Sequence, residues 1–275
     1  QAKKMSESFN RQAAVRTVIL QLQKYSLTPL ECARIYKKLG TEAVRLVKEN
    51  PYCLCPLDIG IDFERAEIIE RTLENKLSPD LRTDEGILYV LRHNLYRGGH
   101  TCIPREKLIT RSVEYLGVDN DCADIAIDRL TDSIRAKSEV IDGTEFIFLP
   151  SSYRSEKDIA KRIGVIMRFP PPRSNTLITD IERIEQADGI VYEQEQKNAI
   201  ITAVSRGLLV LTGGPGTGKT TTLKGILALY EKQNLRIALA APTGRAAQRM
   251  SEVTGREAKT IHRLLEVQWD EDDKP

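Results

Sequence analysis

The amino-acid sequence predicts a multidomain protein in which an all-α region is followed by an α+β region and then by an α/β region. Three patterns predict this order. Apolar residues recur at helical spacing near the start, three helices then lead into a strand hairpin, and strands alternate with helices near the end. With 275 residues, 41% hydrophobic and 29% charged, the chain is long enough for two or three separate cores.

The predicted all-α region covers residues 1–80. Residues 10–25 carry a helical stripe of apolar side chains. The segment "SLTPLECARIYKKLG" then places Pro29 at the first helical position and Gly40 at the end of a helix. A shorter helix capped by Thr41 should follow. Because "LDIGIDFERAEIIERTL" repeats the pattern of a turn and then a helix, we predict a duplicated small helical module.

The predicted α+β region covers residues 81–150. A capped helix from Thr83 to the pair Gly98-Gly99 is followed by the helices "PREKLITRSVEYLG" and "DCADIAIDRLTDSIRAK". Asp142-Gly143 then marks a hairpin of two strands. Three helices and a hairpin form a winged-helix-like order of elements. Winged helices serve either in DNA binding or in packing and protein contact, and the sequence leaves both open.

Residues 151–175 are predicted as a helix and the proline-rich linker "FPPPRSN". The α/β region covers 176–275. It reads as the helix "EQEQKNAIITAVSR", a buried strand at 208–212, a helix at 219–232, the strand "RIALAAP" and a helix at 244–253. That alternation predicts a parallel sheet with crossover helices.

Composition indicates the cellular compartment expected for the protein but does not indicate its function. The 41 basic and 39 acidic residues give a net charge of +2, which neither favours nor excludes a polyanionic partner. The five cysteines form no pair of C-x-x-C motifs, and we interpret Cys53 and Cys55 as reduced thiols rather than zinc ligands. No apolar run approaches the length of a membrane span and no signal peptide opens the chain, so a cytoplasmic protein is expected. A first residue of Gln1 suggests a piece of a longer protein.

The most specific motif is Gly213–Thr220, which fits G-x-x-x-x-G-K-[ST] between an apolar run and a helix. Its glycines let consecutive N–H groups curl around phosphate oxygens, and the helix N-terminus adds partial positive charge. Lys219 should reach the β- and γ-phosphates, and the Thr220 hydroxyl should bind Mg²⁺. The predicted catalytic residues are therefore Lys219 and Thr220, and the predicted nucleotide-binding residues of the loop are Gly213, Gly214, Pro215, Gly216, Thr217, Gly218, Lys219, Thr220 and Thr221.

Gln196 lies on the helix that precedes the 208–212 strand. A side-chain amide can pair with both N6 and N7 of adenine, so this residue would select ATP. The alternative is an ordinary solvated glutamine on a charged helix.

Two later segments carry groups suited to a nucleic-acid backbone, whose phosphates accept hydrogen bonds from hydroxyl and N–H groups. They are "APTGRAAQRM" after the second strand and "KTIHRLL" further on. The alternative for the first is an ordinary strand-to-helix turn, and a lone histidine in the second is more often structural. The candidate DNA-binding residues are Pro242, Thr243, Gly244, Arg245, Thr260 and His262.

Taken in order, "EQEQKNAI", "LTGGPGTGKTTT", "APTGRAAQRMSEVTG" and "KTIHRLL" resemble the opening motifs of superfamily 1 DNA helicases, above all the RecD-like ATP-dependent helicases. Upstream, "LTPLECARIYKKLGTEAVRLVKENPY" and "IGIDFERAEII" resemble that family's paired helix-hairpin-helix segments, so the likeness covers nearly the whole chain. It implies a RecA-like P-loop motor domain that hydrolyses ATP with Mg²⁺. It also implies 5′ to 3′ movement along single-stranded DNA, action at junctions of single and double strands, and a role in DNA repair and recombination.

Two features depart from the family pattern. The hairpin turns are Ser26-Leu27-Thr28 and Gly60-Ile61-Asp62, without the usual two glycines, and Asp62 puts negative charge where a phosphate would approach. A structural or protein-contact role is therefore open for them, with protein partners at the N-terminal domains.

The second departure concerns the metal carboxylates that a helicase requires. The acidic segment "EVQWDEDDKP" follows no apolar run and is predicted as a solvated tail. We therefore expect the chain to end inside a partial first motor domain and to be inactive alone. Two other functions stay open: a P-loop clamp or loader that binds DNA or protein, and a motor that acts on RNA.

Overall fold

The computed structural model describes residues 15–57, 59–74, 76–172 and 175–267. The chain divides into two compact units, Gln1–Asp158 and Ile159–Pro275, and each is described by itself. The finer division predicted at residues 80, 150 and 175 stays a prediction.

The first unit begins with helices that follow the predicted turns. Residues 15–22 are helical (α1), and α2 spans Pro29–Leu39, α3 Ala43–Glu49 and α4 Phe63–Arg71. Pro29 lies in the first turn of α2, as predicted, and Thr28 and Glu31 form a capping box that was not predicted.

The predicted cap of α3 by Thr41 is wrong. Residues Gly40–Glu42 form a 3-10 turn that leads directly into α3, and Glu42 occupies the capping position without a side-chain hydrogen bond. Because Glu42 already has helical backbone angles, the capping position falls one residue after Thr41, and Thr41 lies inside the 3-10 turn.

The second part of this unit contains three helices and a three-stranded sheet. They are α5 Pro79–Gly98, β1 Cys102–Pro104, α6 Arg105–Leu116, α7 Asn120–Asp132, β2 Lys137–Ile141 and β3 Thr144–Phe148. The sheet is antiparallel with the order β1-β3-β2. Asp142 and Gly143 both adopt left-handed backbone angles in the tight turn of the hairpin, as predicted.

The sequence analysis placed the start of α5 too late and did not predict β1. Helix α5 begins at Pro79 because Ser78 caps it, its hydroxyl accepting from Leu81 N–H. Thr83, the predicted start, lies one turn inside the helix. Strand β1 has only three residues and exists through its pairing of Ile103 with Ile147 of β3, which no local pattern indicates.

A single core runs through the first unit. It continues without a break across residue 80, so the helical part and the part with the sheet bury their apolar side chains together. Its largest buried members include Leu22, Ile35, Leu54, Ile69, Ile87, Leu108, Ile127 and Ile147.

The second unit is mostly helical among the residues described. Helix α8 Pro150–Arg168 contains the boundary between the units, and the later helices are α9 Leu177–Asp188, α10 Gln194–Ser205, α11 Lys219–Lys232, α12 Gly244–Thr254 and α13 Ile261–Leu264. Strands β4 Leu239–Ala241 and β5 Ala258–Thr260 pair in parallel. The core lies between α9, α10 and α11, around Ile181, Tyr192, Ile200 and Leu229.

The prediction of a buried strand at 208–212 is wrong. These residues form no strand, and the Val210 side chain is 75% exposed. A strand requires a neighbour for its backbone hydrogen bonds. Within the described part of the chain, β4 and β5 pair with each other and neither pairs with 208–212. The region does contain a parallel crossover, but it is formed by β4, α12 and β5, and β5 was not among the predicted strands.

Candidate nucleotide and DNA site

The loop before α11 has the backbone geometry of an anion-binding turn. Gly216 and Gly218 adopt φ values of 77° and 75°, which glycine tolerates without steric cost. Gly218 precedes the first residue of α11, and no side chain among the described residues caps this helix end. The first N–H groups of α11 and the positive end of its dipole therefore face the loop.

Lys219 is held inside the loop by hydrogen bonds. Its ammonium donates to the carbonyl of Gly213 at 2.6 Å, to the carbonyl of Gly214, and to Thr217 Oγ1 at 3.3 Å. Thr217 in turn donates to the Gly214 carbonyl at 3.0 Å. These bonds place the lysine charge among the loop amides, where a phosphate oxygen can replace the carbonyl partners.

The two threonines after Lys219 lie in the first turn of α11. Thr220 is exposed and Thr221 is half-buried. Thr222 is buried and donates to the Gly218 carbonyl, so it supports the turn rather than facing the loop. Pro215 and Thr217 lie exposed at the tip.

Gln196 packs directly against this loop. Its side-chain nitrogen lies so close to Gly218 that there is no room for a Cβ atom at that position. Its oxygen accepts from the Glu193 N–H at 3.1 Å as part of a capping box at the start of α10. The structure thus brings together Gln196 and the motif that the sequence analysis linked to it.

An ion pair holds the start of α10. The Glu185 carboxylate accepts from the Lys197 ammonium at 2.9 Å and from the Tyr192 N–H at 2.7 Å. The hydrogen bonds from Lys197 and Tyr192 lower the pKa of Glu185. Neither Glu185 nor Lys197 was singled out from the sequence, because their link depends on how α9 packs against α10.

The candidate DNA-binding residues lie at the ends of two adjacent strands. Ala241 of β4 pairs with Thr260 of β5, so the segments that follow both strands leave the sheet side by side. The Thr243 hydroxyl accepts from Ala246 N–H and caps α12, and the Thr260 hydroxyl accepts from Arg263 N–H and caps α13. Both threonines therefore have a structural role in the turns that they form.

A cleft of 340 Å³ lies beside these turns. Sequence reasoning missed Gln248 and Glu257 in its wall. The position of Gln248 one turn after Gly244 in α12 was a usable signal. The cleft is lined by Gly244, Ala247, Gln248, Glu257, Ala258, Lys259, Thr260 and Arg263.

In the first unit, the two predicted hairpin turns are bonded to each other's helices. Arg65 of α4 donates to the Ser26 carbonyl in the first turn, and Arg34 of α2 donates to the carbonyl of Ile59, the residue just before the second turn. Glu31 accepts from Arg65 and also from the Thr28 N–H at 2.7 Å. A backbone amide of the first turn is therefore already occupied by a carboxylate.

Replacing Glu31 with glutamine should destabilise the first unit by about 1–3 kcal/mol, because a largely buried, charge-assisted bond to Arg65 is lost. Hydrogen bonding from Arg65 lowers the pKa of Glu31 from 4.5 to about 2. Its stabilisation is thus complete above pH 4.5 and declines as the pH falls towards 2. Urea unfolding measures the effect. The control is Glu49→Gln in the exposed Arg45 pair, which should cost under about 0.5 kcal/mol; equal losses in the two variants would contradict the assignment.

The five cysteines, Cys53 and Cys55 among them, are free thiols in the structure. Burial raises the pKa of Cys53 to about 11 and that of Cys55 to about 12. Across the described residues, no three His, Cys, Asp or Glu side chains group as a metal site would require. None of the described helices has the length and apolar character needed to cross a membrane.

Comparisons with known proteins match two segments to family models. Residues 11–102 match the helix-hairpin-helix domain of the ATP-dependent RecD2 DNA helicases, and residues 196–274 match an AAA domain.

Relatives match over different lengths. The ATP-dependent RecD2 DNA helicase of Deinococcus radiodurans is 31% identical over 95% of this chain and 38% of its own length. The RecBCD enzyme subunit RecD of Mycolicibacterium smegmatis is 47% identical over 44% of this chain and 25% of its own. The ATP-dependent DNA helicase dda of Enterobacteria phage T4 is 43% identical over 22% of this chain. The chain thus spans well under half the length of these relatives.

The glycine-rich loop, its lysine and the helix that follows define a P-loop protein. The matches to family models and to relatives agree with this class and define a narrower family within it. The chain belongs to the RecD-like family of superfamily 1 helicases and represents the N-terminal part of such a protein.

Proposed function

We propose that this chain is the nucleotide-binding part of an ATP-dependent DNA helicase that moves 5′ to 3′ along single-stranded DNA and separates strands. The observation that carries the proposal is the placement of Lys219 and Gln196 at one glycine loop. The lysine charge and the free N–H groups of α11 suit the phosphates of ATP, and the Thr220 hydroxyl suits the Mg²⁺ that accompanies them. The amide of Gln196 suits adenine.

The proposed residue roles follow the geometry of the loop. Gly213, Gly214, Pro215, Gly216, Thr217 and Gly218 supply the curved backbone around the phosphates, and Thr221 supports it from the first turn of α11. When bound, Mg²⁺ would neutralise phosphate charge, and the exposed Thr220 hydroxyl is the group of this loop that would hold it.

The proposed path of the single strand runs across the ends of β4 and β5. Pro242, Thr243 and Gly244 approach it from the first strand, and Thr260 and His262 from the second. Arg245 lies exposed in the first turn of α12, where its charge opposes the helix dipole and is favoured by a nearby phosphate.

Replacing Arg245 with alanine should weaken single-stranded DNA binding by about 3- to 10-fold and lower the slope of log affinity against log salt by about one. Fluorescence anisotropy of labelled oligonucleotides at several salt concentrations measures both quantities. Arg249→Ala, one turn further along α12, is the matched control, and equal loss in both variants would contradict a specific contact at Arg245.

A P-loop clamp or loader is the second candidate function, favoured by the first hairpin turn, where the Thr28 N–H already donates to the Glu31 carboxylate. The two functions differ in whether DNA stimulates ATP hydrolysis. A helicase hydrolyses ATP faster on single-stranded DNA, whereas hydrolysis by the full-length protein without DNA stimulation favours the clamp. Comparing DNA and RNA substrates with the same overhang tests the third possibility, a motor that acts on RNA.

We further propose that residues 1–275 by themselves bind ATP weakly and do not turn it over. The support is that no apolar run after the P-loop in this sequence ends in Asp-Glu, the pair that would hold Mg²⁺ and orient water. A steady-state phosphate-release assay tests this. Steady hydrolysis that is abolished by Lys219→Ala would contradict it.

We also propose a winged-helix assignment for the segment from α5 to β3. It is supported by the order helix, strand, helix, helix, hairpin and by the third strand that joins the hairpin. The protein is proposed to act in the cytoplasm on single strands and their junctions with duplex, in DNA repair and recombination. One group of relatives carries the name of a RecBCD enzyme subunit, which supports protein partners for this chain as well.

A further inference from the structure

Helix α11 contains a glycine at its centre, Gly225. A glycine inside a helix lowers helix stability relative to alanine, so its presence there points to a close contact. A Cβ atom at Gly225 would lie 2.7 Å from the Tyr192 hydroxyl, 2.9 Å from Cζ of the same ring and 2.7 Å from Cδ1 of Ile200. A methyl group at residue 225 therefore does not fit unless α10 or α11 moves.

The two side chains that meet Gly225 are fixed in the core of the second unit. Tyr192 is 3% exposed and Ile200 is fully buried. The Tyr192 N–H donates to the Glu185 carboxylate at 2.7 Å, which fixes the backbone just before α10. The Tyr192 hydroxyl makes no hydrogen bond to any described residue, so it meets Gly225 by packing alone. A larger residue at 225 would therefore displace α10 rather than a flexible side chain.

The contact at Gly225 lies next to the contact of Gln196 with the loop. Gln196 precedes Ile200 by one helical turn, so both side chains lie on the side of α10 that faces α11. Tyr192 directly precedes the capping box that contains Gln196. Gly218, which Gln196 contacts, precedes Gly225 by about two turns of helix. The spacing of the helices at Gly225 therefore sets how far the Gln196 amide lies from the loop.

A second link between the two helices lies beyond Gly225. The Tyr230 hydroxyl of α11 donates to the Ala203 carbonyl of α10 at 3.0 Å. Both residues lie near the C-terminal ends of their helices. Because this bond holds the far ends together, crowding at Gly225 should be relieved at the first turn of α10, where Gln196 lies.

We propose that Gly225 is a positioning residue for base selection, which keeps α10 close enough to α11 for the Gln196 amide to reach the base of a nucleotide bound at the loop. This inference rests on the proposed function, in which Gln196 contacts adenine. Gly225 is buried and acts through its contacts with Tyr192 and Ile200. The ligand that the spacing selects is an adenine nucleotide.

The test is Gly225→Ala in the full-length protein, with kcat/KM measured for ATP and for GTP in the presence of single-stranded DNA. The preference for ATP should fall at least about fivefold, because the displaced amide no longer meets the base. The value of kcat with ATP should stay within about threefold, since Lys219 lies more than one turn away at the start of α11. A glycine with only a structural role would lower Tm and leave the preference unchanged, and that result would overturn the proposal.

Leu227→Ala is the matched control for a loss of stability. Leu227 is buried in the same helix, two residues from Gly225 and therefore on another side of α11. Its truncation should lower Tm but leave the preference for ATP within about twofold. An equal fall in preference in the two variants would show a general effect of weakened packing and would overturn the proposal.

Gln196→Ala separates a failure of this inference from a failure of the proposed function. If Gly225 acts through Gln196, adding Gly225→Ala to Gln196→Ala should change the preference by less than about twofold. A further fall in the double variant would overturn the inference, because Gly225 would then act by another route. A preference that falls in Gln196→Ala but not in Gly225→Ala overturns this inference alone. A preference that Gln196→Ala leaves unchanged contradicts the adenine contact and overturns both.

A relieved variant keeps the proposal testable if Gly225→Ala alone does not fold. Adding Tyr192→Leu and Ile200→Val removes the three atoms that the new methyl group would meet. The preference for ATP should then lie within about threefold of that of the unchanged protein, because α10 can again approach α11. A preference as low as that of Gln196→Ala would overturn the proposal, since the spacing at Gly225 would not be its cause.

Discussion

Replacing Lys219 with alanine is expected to lower ATP turnover by the full-length protein about 100- to 1000-fold, the usual cost of losing one preorganised cation or donor at a phosphoryl-transfer centre. The fold should be unaffected, because within the described part of the chain the Lys219 ammonium bonds only to loop groups at Gly213, Gly214 and Thr217. Phosphate release in the presence of single-stranded DNA measures turnover, and thermal unfolding checks stability.

The matched control for Lys219 is Lys224→Ala. Lys224 is exposed on the same helix, outside the loop, and removing it changes net charge by the same amount. It should leave turnover within about twofold of the unchanged protein, because a solvated surface charge contributes little. Similar losses in the two variants would show that the loop lysine has no special role, and the nucleotide site would have to be sought elsewhere.

Replacing Gln196 with alanine should reduce the preference for ATP over GTP about tenfold or more, since one well-placed bidentate amide contributes about 1–3 kcal/mol of base discrimination. The capping box at the start of α10 is lost as well, so a fall in stability accompanies the change in selectivity. The ratio of kcat/KM for the two nucleotides separates these effects, because lower stability alone reduces both values together.

Gln194→Ala provides the comparison for Gln196. Gln194 lies on the same helix, is exposed and bonds to Asn198 rather than to the loop. Its removal should leave the nucleotide preference unchanged. An unaltered preference in Gln196→Ala would mean that the contact with Gly218 is packing alone.

Local chemistry made much of the fold predictable. Pro29 marked the start of α2, and Asp142-Gly143 marked the hairpin, because a proline at a helix start and left-handed turn residues act within a few residues of themselves. Ser78-Pro79 carried an equally readable start signal for α5, which the sequence analysis overlooked in favour of Thr83.

Features that depend on distant partners were not predictable. The apolar run at 208–212 has the composition of a strand, yet strand formation requires a neighbour that local sequence does not specify. Strands β1 and β5 have three residues each and exist only through pairing. The shared core across residue 80 and the bonds from Arg34 and Arg65 to each other's turns also depend on packing between separate segments.

The candidate site also contains some features that the local sequence predicts and others that depend on packing between separate segments. The loop motif at Gly213–Thr220 could be identified from local spacing, since its function resides in consecutive backbone groups. The contact between Gln196 and Gly218 depends on the packing of α10 beside α11, which the local sequence does not specify. The support of α10 by Glu185 was invisible in the sequence, because a carboxylate on one helix gives no sign of its partner on the next.

Strand separation by the full-length protein on forked DNA distinguishes a 5′ to 3′ helicase from other P-loop proteins. Two substrates with identical duplexes are compared, one with a 5′ single-stranded tail and one with a 3′ tail, each with ATP and Mg²⁺. We expect unwinding of the 5′-tailed substrate, no unwinding of the 3′-tailed one, and loss of activity in Lys219→Ala. ATP hydrolysis that is indifferent to DNA, with no strand separation from either end, would contradict it.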